Sequence, residues 1–185
     1  RALEKGLLDY PQLSTFYEFN ISCPNVPGEK NYDLTTSFVS ELLSRVRETS
    51  QAVVGIKVSP DFSDELILTI VGEMSKYVRV FVNMGNTQFK SCEALGLPEG
   101  AITIGGGGLS GPPLYERTLE MTKLIANSKT SNVPIIATGG VSTAEQAQAL
   151  LDNGATLVGM ATAIVQDQYV IPKLNLSLDK QVSMR

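Results

Sequence analysis

VVGIKVSPDFSDELILTIVGEMSKYVRVFV, residues 53–82, sets two short apolar runs, Val53–Val58 and Val78–Val82, around an amphipathic stretch. Each run is apolar at consecutive positions and stops at Ser, Pro or Asn, the pattern of a strand covered on both faces. Between them Ser63 can cap a helix over Asp64–Lys76, with Leu66, Ile70 and Met74 on one face. Strand, helix and strand in immediate succession read as a βαβ unit, and such units build parallel sheets.

The alternation continues in both directions. Tyr17–Ile21, Pro134–Thr138 and Thr156–Met160 read as three further buried strands. Leu34, Phe38, Leu42 and Val46 recur every four residues and predict a helix over Leu34–Glu48 with one buried stripe. Pro112 and Pro113 suit the first turn of a helix over about Leu114–Ala126. Ser142–Glu145 has capping-box spacing for another, with Gly154 placed to stop it. Beyond Ala163, Pro172 is expected to interrupt any long final helix. Five βα units exceed half a closed barrel, but 185 residues fall short of the ~250 that a closed barrel takes. Length alone therefore favours an open, doubly wound five-stranded sheet.

Composition narrows the chemistry. With 43% apolar and 18% charged residues, the chain has enough apolar side chain to form a core. No apolar run reaches the ~18 residues needed to span a bilayer, and the first residues do not read as a signal peptide. A net charge of −4 gives no basic footprint for nucleic acid or an anionic membrane. The sequence has no histidine, which excludes Ser-His-Asp and Cys-His catalysis and any His-ligated metal site; no metal is expected. Its two cysteines, Cys23 and Cys92, are too few for a disulfide framework and too far apart for a CxxC site. They point to a reducing compartment, so a cytoplasmic location is expected. Acid–base chemistry must come from Cys, Lys, Asp, Glu or Tyr, or from a cofactor.

Several segments can carry that chemistry. In Asn20-Ile-Ser-Cys23-Pro-Asn25-Val-Pro-Gly28, two carboxamides bracket a thiol at the end of the first strand. A planar polar ligand would meet donors and acceptors there beside a base. The same residues also suit a buried strand-end Cys with two turn-forming Asn. Lys57, inside an apolar strand, is costly without an anionic or polar partner, unless it snorkels to solvent. Val82-Asn-Met-Gly-Asn86-Thr87 adds amides and a hydroxyl at the third strand's end. Gly105–Gly108 with Leu109-Ser-Gly111, then Thr138-Gly139-Gly140 and Ala161-Thr162-Ala163, read as small-residue loops. Their backbone N–H groups can cradle a phosphate, or the loops are simply tight turns. There is no GxxxxGK[ST] and no strand–GxGxxG–helix arrangement. Cys92, in a polar loop, is assigned no role.

Taken in order, Asn20–Gly28, Gly55-Ile-Lys57, Val82–Thr87, Gly107–Gly111, Ala137–Gly140 and Ala161–Ala163 resemble dihydroorotate dehydrogenase over about residues 15–165. The resemblance implies an α/β fold, a TIM (β/α)8 barrel of which this chain supplies about the last five βα units as one partial FMN-binding domain, residues 1–185. It implies FMN as cofactor and oxidation of dihydroorotate to orotate in de novo pyrimidine biosynthesis. Cys23 would be the base removing the C5 proton while hydride passes to flavin N5. Asn20 would contact flavin and substrate, and Asn25, Asn86 and Thr87 would hold the pyrimidine. Lys57 would sit near flavin N1 and O2, Gly85 and Gly111 would approach the flavin by backbone, and Gly139, Gly140, Ala161 and Thr162 would bind its phosphate. A cysteine base followed by Val-Pro-Gly looks most like the soluble class 1 branch, whose members are homodimers and use fumarate as acceptor. Gly107–Gly111 looks more like the other branches. A related FMN-dependent pyrimidine oxidoreductase, and a non-catalytic barrel remnant, remain open. Five units alone would expose two strand edges and an apolar interior, so the isolated chain is expected to be poorly soluble or oligomeric.

Overall fold

The computed structural model describes residues 16–21, 32–128 and 132–183. Its elements run β1 (Phe16–Asn20), α1 (Tyr32–Thr49), β2 (Val53–Val58), α2 (Asp64–Met74), β3 (Val80–Met84), β4 (Gln88–Ser91), β5 (Gly106–Leu109), α3 (Tyr115–Ala126), β6 (Ile135–Thr138), α4 (Ala144–Asp152), β7 (Leu157–Gly159), α5 (Thr162–Gln166) and α6 (Val170–Ser183).

Five strands form one parallel sheet in the order β1-β2-β3-β6-β7, and β4 and β5 pair separately as an antiparallel hairpin. In a doubly wound sheet the strand order reverses at a switch point. Here every strand is added on the same side as its predecessor. That order is the arc of a singly wound β/α barrel, which corrects the open doubly wound sheet suggested by length. The helices follow suit: α1 packs on α2, α2 on α3, α3 on α4 and α4 on α6, in one layer.

The core lies between that layer and the sheet. Val54, Ile56 and Val58 of β2, Val80, Val82 and Met84 of β3, and Ile135 and Ala137 of β6 point into it. They meet Val39, Leu43 and Val46 of α1, Leu66, Ile67, Ile70, Val71 and Met74 of α2, and Met121 and Ile125 of α3. Each fully buried Ile or Leu contributes ~1.5–3 kcal/mol relative to exposure. Ser63 caps α2 as expected, its side chain accepting from the Leu66 amide at 3.2 Å. No helix among the described residues is long and apolar enough to cross a membrane.

The sheet's other face would line a closed barrel. Phe16 and Phe81 meet edge to face there with ring centroids 5.3 Å apart. Gly55 is glycine because the Phe81 ring fills the space of its missing Cβ. At this face the chain leaves Phe16 at 50% and Leu157 at 59% exposure.

Five local expectations are corrected. The buried stripe of α1 is Val39, Leu43 and Val46, with Phe38 half exposed. Strict four-residue spacing drifts around a 3.6-residue turn, so Phe38 moves to the shoulder. The third strand starts at Val80, because Val78 is exposed, Arg79 has φ +57° and the carbonyls of both accept from Arg47. The capping box lies one residue later than Ser142–Glu145: Thr143 caps α4 and Gln146 reaches back to it. A 14-residue final helix does form, because Pro172 falls in the first turn of α6, where its missing N–H costs nothing. Finally, Gly106–Gly108 is strand β5. A Cβ on Gly106 would strike the Lys90 carbonyl, and one on Gly108 the Thr87 hydroxyl, so close approach within the hairpin explains both glycines. Cys92 is buried, and its amide donates to the Gly105 carbonyl at 2.9 Å where the hairpin opens.

Candidate functional site

Loops at the C-terminal ends of β2, β3, β5, β6 and β7 converge on a cavity of about 210 Å³. This is the end at which β/α barrels place their chemistry. Lys57 enters from β2, Gly85, Asn86 and Thr87 from β3, Gly111 from the hairpin, Gly139 and Gly140 from β6, and Ala161 and Thr162 from β7. Nine residues singled out in the sequence are thus brought to one pocket. Asn20 ends β1 directly beside Lys57 in the β1–β2 register, exposed and outside the cavity wall. Cys23 and Asn25 lie outside the described residues.

Lys57 is the cavity's charged lining side chain; the remaining lining residues are neutral. The pocket therefore suits a ligand with an electron-rich group beside Lys57 and polar atoms elsewhere. Gly111 (φ +85°), Gly139 (φ +145°) and Gly140 (φ +76°) adopt backbone that other residues rarely take. A Cβ on Gly140 would overlap the Tyr115 backbone nitrogen, and one on Gly139 the Thr118 hydroxyl, so the β6 loop lies tight against the start of α3. Burial, and after it the negative charge of Glu116, pushes the Tyr115 phenol above its usual range. It remains a protonated donor to the Gln146 carbonyl at 3.4 Å.

The hairpin closes the pocket from the side. Gly111 abuts Thr162 across it, and the Thr162 and Ser110 hydroxyls stand 3.3 Å apart. Asp61 holds the hairpin by accepting from the Phe89 amide at 3.0 Å. The Asp61 loop is held in turn by Arg117, which donates to the carbonyls of Pro60 and Phe62 and pairs with Asp64 at 2.8 Å. Ser110, read within the Leu109-Ser-Gly111 loop, also lines the cavity, as do Ser142 and Gln166, to which sequence reading gave no role there. Ser142 was legible as a neighbour of the Gly139-Gly140 loop, whereas Gln166 sits on the short α5, which had no signal of its own. Among the described residues no three His, Cys, Asp or Glu side chains gather where they could hold a metal.

The donor set fits a phosphorylated flavin. Glycine backbone and the hydroxyls of Ser142 and Thr162 line the cavity at the β6 and β7 loops, and the Lys57 amine lines it from β2.

Comparison with known proteins follows the same lines. The chain is 30% identical over 159 residues to a protein of Nautilia profundicola, covering 81% of this chain and 40% of that protein. It is 31% identical over 172 residues to one of Corynebacterium glutamicum (92% and 46%), and 32% identical over 169 residues to one of Brucella suis (86% and 45%). All three are named dihydroorotate dehydrogenase (quinone). The chain thus spans somewhat under half the length of these relatives. A crystal structure of DHODH from Eimeria tenella in complex with ferulenol superposes with a TM-score of 0.77 at 21% identity, covering 98% of this chain and 54% of that one. The ligand-free type from the same organism gives 0.72 at 22% identity, covering 93% and 52%. These two likenesses establish the barrel fold. The family model described as dihydroorotate dehydrogenase matches residues 6–182, and with nearly the whole chain matched, this protein belongs to the dihydroorotate dehydrogenase family.

Proposed function

We propose that this chain carries the flavin pocket of an FMN-dependent enzyme that oxidises dihydroorotate to orotate. The observation that supports it most is the gathering of Lys57, Asn86, Thr87, Gly111, Gly139, Gly140, Ala161 and Thr162 around one cavity at the C-terminal end of the sheet. When bound, FMN supplies the hydride acceptor. The chain's own residues do the rest.

Gly139, Gly140, Ala161 and Thr162 hold the phosphate through backbone N–H groups and one hydroxyl, as such loops do without needing a cation. Gly85 and Gly111 offer the ligand backbone rather than side chain, with Thr138 packed on the first and Thr162 beside the second. Lys57 holds its ammonium against the electron-rich edge of the ring and favours added negative charge there. Asn20, Asn25, Asn86 and Thr87 match the amide and carbonyl edges of the pyrimidine with paired donors and acceptors. Asn86 is itself ordered by accepting from the Thr87 amide through its side-chain oxygen at 2.9 Å. Cys23, in the Asn20–Gly28 motif, takes the C5 proton as general base.

The acceptor is a quinone. The names of the relatives favour it over the fumarate that a cysteine base suggests. The test is to give the full-length protein dihydroorotate with either a soluble quinone or fumarate and follow orotate. Turnover with the quinone is expected. Turnover with fumarate alone would reverse the acceptor, and no orotate with either would overturn the reading.

A further inference from the structure

A hydrogen-bonded chain crosses the inner face of the sheet at the foot of the pocket. Asn83 Nδ2 donates to Glu18 Oε2 at 2.7 Å, and Thr138 Oγ1 donates to Asn83 Oδ1 at 2.9 Å. It links β1, β3 and β6. Glu18 spans β2 on a diagonal, from the row it shares with Gly55 and Phe81 to Asn83, which stands in register with Lys57. Of the three residues only Thr138 lines the cavity. It is flanked by Gly85 and Gly159, whose missing Cβ positions it fills. No side chain from either neighbour covers it.

The direction of this chain follows from donor and acceptor chemistry. A carboxylate only accepts, so Asn83 must turn its NH2 towards Glu18 and its oxygen towards Thr138. An amide oxygen also only accepts, so the Thr138 proton must point at Asn83. What remains on Thr138 Oγ1 is lone pairs.

We propose that Glu18, acting through Asn83, makes Thr138 an acceptor-only group in the pocket and thereby selects a ligand whose polyol chain donates a hydroxyl at that point. The inference rests on the FMN reading, since FMN carries a ribityl chain between ring and phosphate. Thr138 adjoins the Gly139-Gly140 loop and lies two strands from Lys57 in the sheet, between the two ends assigned to that ligand. Glu18 and Asn83 are positioning residues, and Thr138 is the group that meets the ligand.

The test is equilibrium titration of the full-length protein with FMN and with lumiflavin, which has the ring but neither polyol nor phosphate. Thr138→Val, which keeps shape and removes the acceptor, weakens FMN about five- to tenfold, the worth of one hydrogen bond, and leaves lumiflavin unchanged. Thr138→Ser restores FMN affinity. Glu18→Gln, which lets Asn83 turn either way, weakens FMN about threefold, and in the Thr138→Val background it adds nothing. Equal FMN affinity in all variants, or additive losses in the double variant, overturns the relay and leaves the flavin reading standing. A wild-type protein that binds no FMN overturns the flavin reading, and the polyol assignment with it.

Discussion

Gly140 concentrates two constraints in one residue. Its φ of +76° strains any L side chain, and a Cβ there would overlap the backbone nitrogen of Tyr115. Gly140→Ala is therefore expected to destabilise the fold by about 1–3 kcal/mol through strain, more if α3 must shift. It should also lower FMN affinity, because the loop that presents its amides moves. A thermal melt and an FMN titration read the two effects separately; a variant with unchanged melting and unchanged affinity would contradict both. At this scale the sequence was informative wherever chemistry was unusual. Lys57 within an apolar strand and glycine pairs at strand ends are costly choices, and cost pointed to residues that the fold gathers at one pocket. Thr138 and Asn83 were read only as parts of a small-residue loop and an amide-rich strand end. A threonine before Gly-Gly and an asparagine at a strand end are ordinary turn chemistry until the folded sheet joins them to Glu18 in one hydrogen-bonded chain.

At the scale of elements, strands and helices were legible because apolar period and capping residues agree along most of the chain. Where they failed, the cause was geometric. The hairpin was missed because Gly106–Gly108 has no side chains to alternate, and only the approach of Thr87 and Lys90 shows why glycine stands there. Pro172 misled because its effect depends on helix position, and the start of α6 is unmarked in sequence. The hairpin also makes a prediction. Asp61 accepts from Phe89 and fixes the hairpin to the β2–α2 loop, so Asp61→Ala should speed amide exchange at Phe89 while leaving β2 and β3 protected. Unchanged exchange at Phe89 would show that the β4–β5 pairing and the Thr87–Gly108 packing hold the hairpin without it.

For the whole molecule, strand order matters more than strand count. Sequential addition in one direction leaves β1 and β7 as open edges among the described residues, with Phe16 and Leu157 exposed on the inner face. Val165, Tyr169 and Leu176 add exposed apolar surface on and beside α5 and α6. Residues 1–185 expressed alone should therefore self-associate, as read by sedimentation. A monodisperse, cooperatively melting monomer would contradict that expectation. The resemblance could set the fold beyond what length allowed, since 185 residues suit an open sheet as well as an arc.

The proposed reaction pairs a flavin with Cys23 as base, and the visible spectrum of the full-length protein tests it most directly. With FMN bound and oxygen excluded, dihydroorotate should bleach the flavin band in the wild type, and the bleaching should be lost in Cys23→Ala. A flavin that is held yet stays oxidised in the presence of dihydroorotate would contradict the assigned substrate, and bleaching that proceeds equally well in Cys23→Ala would contradict the assigned base.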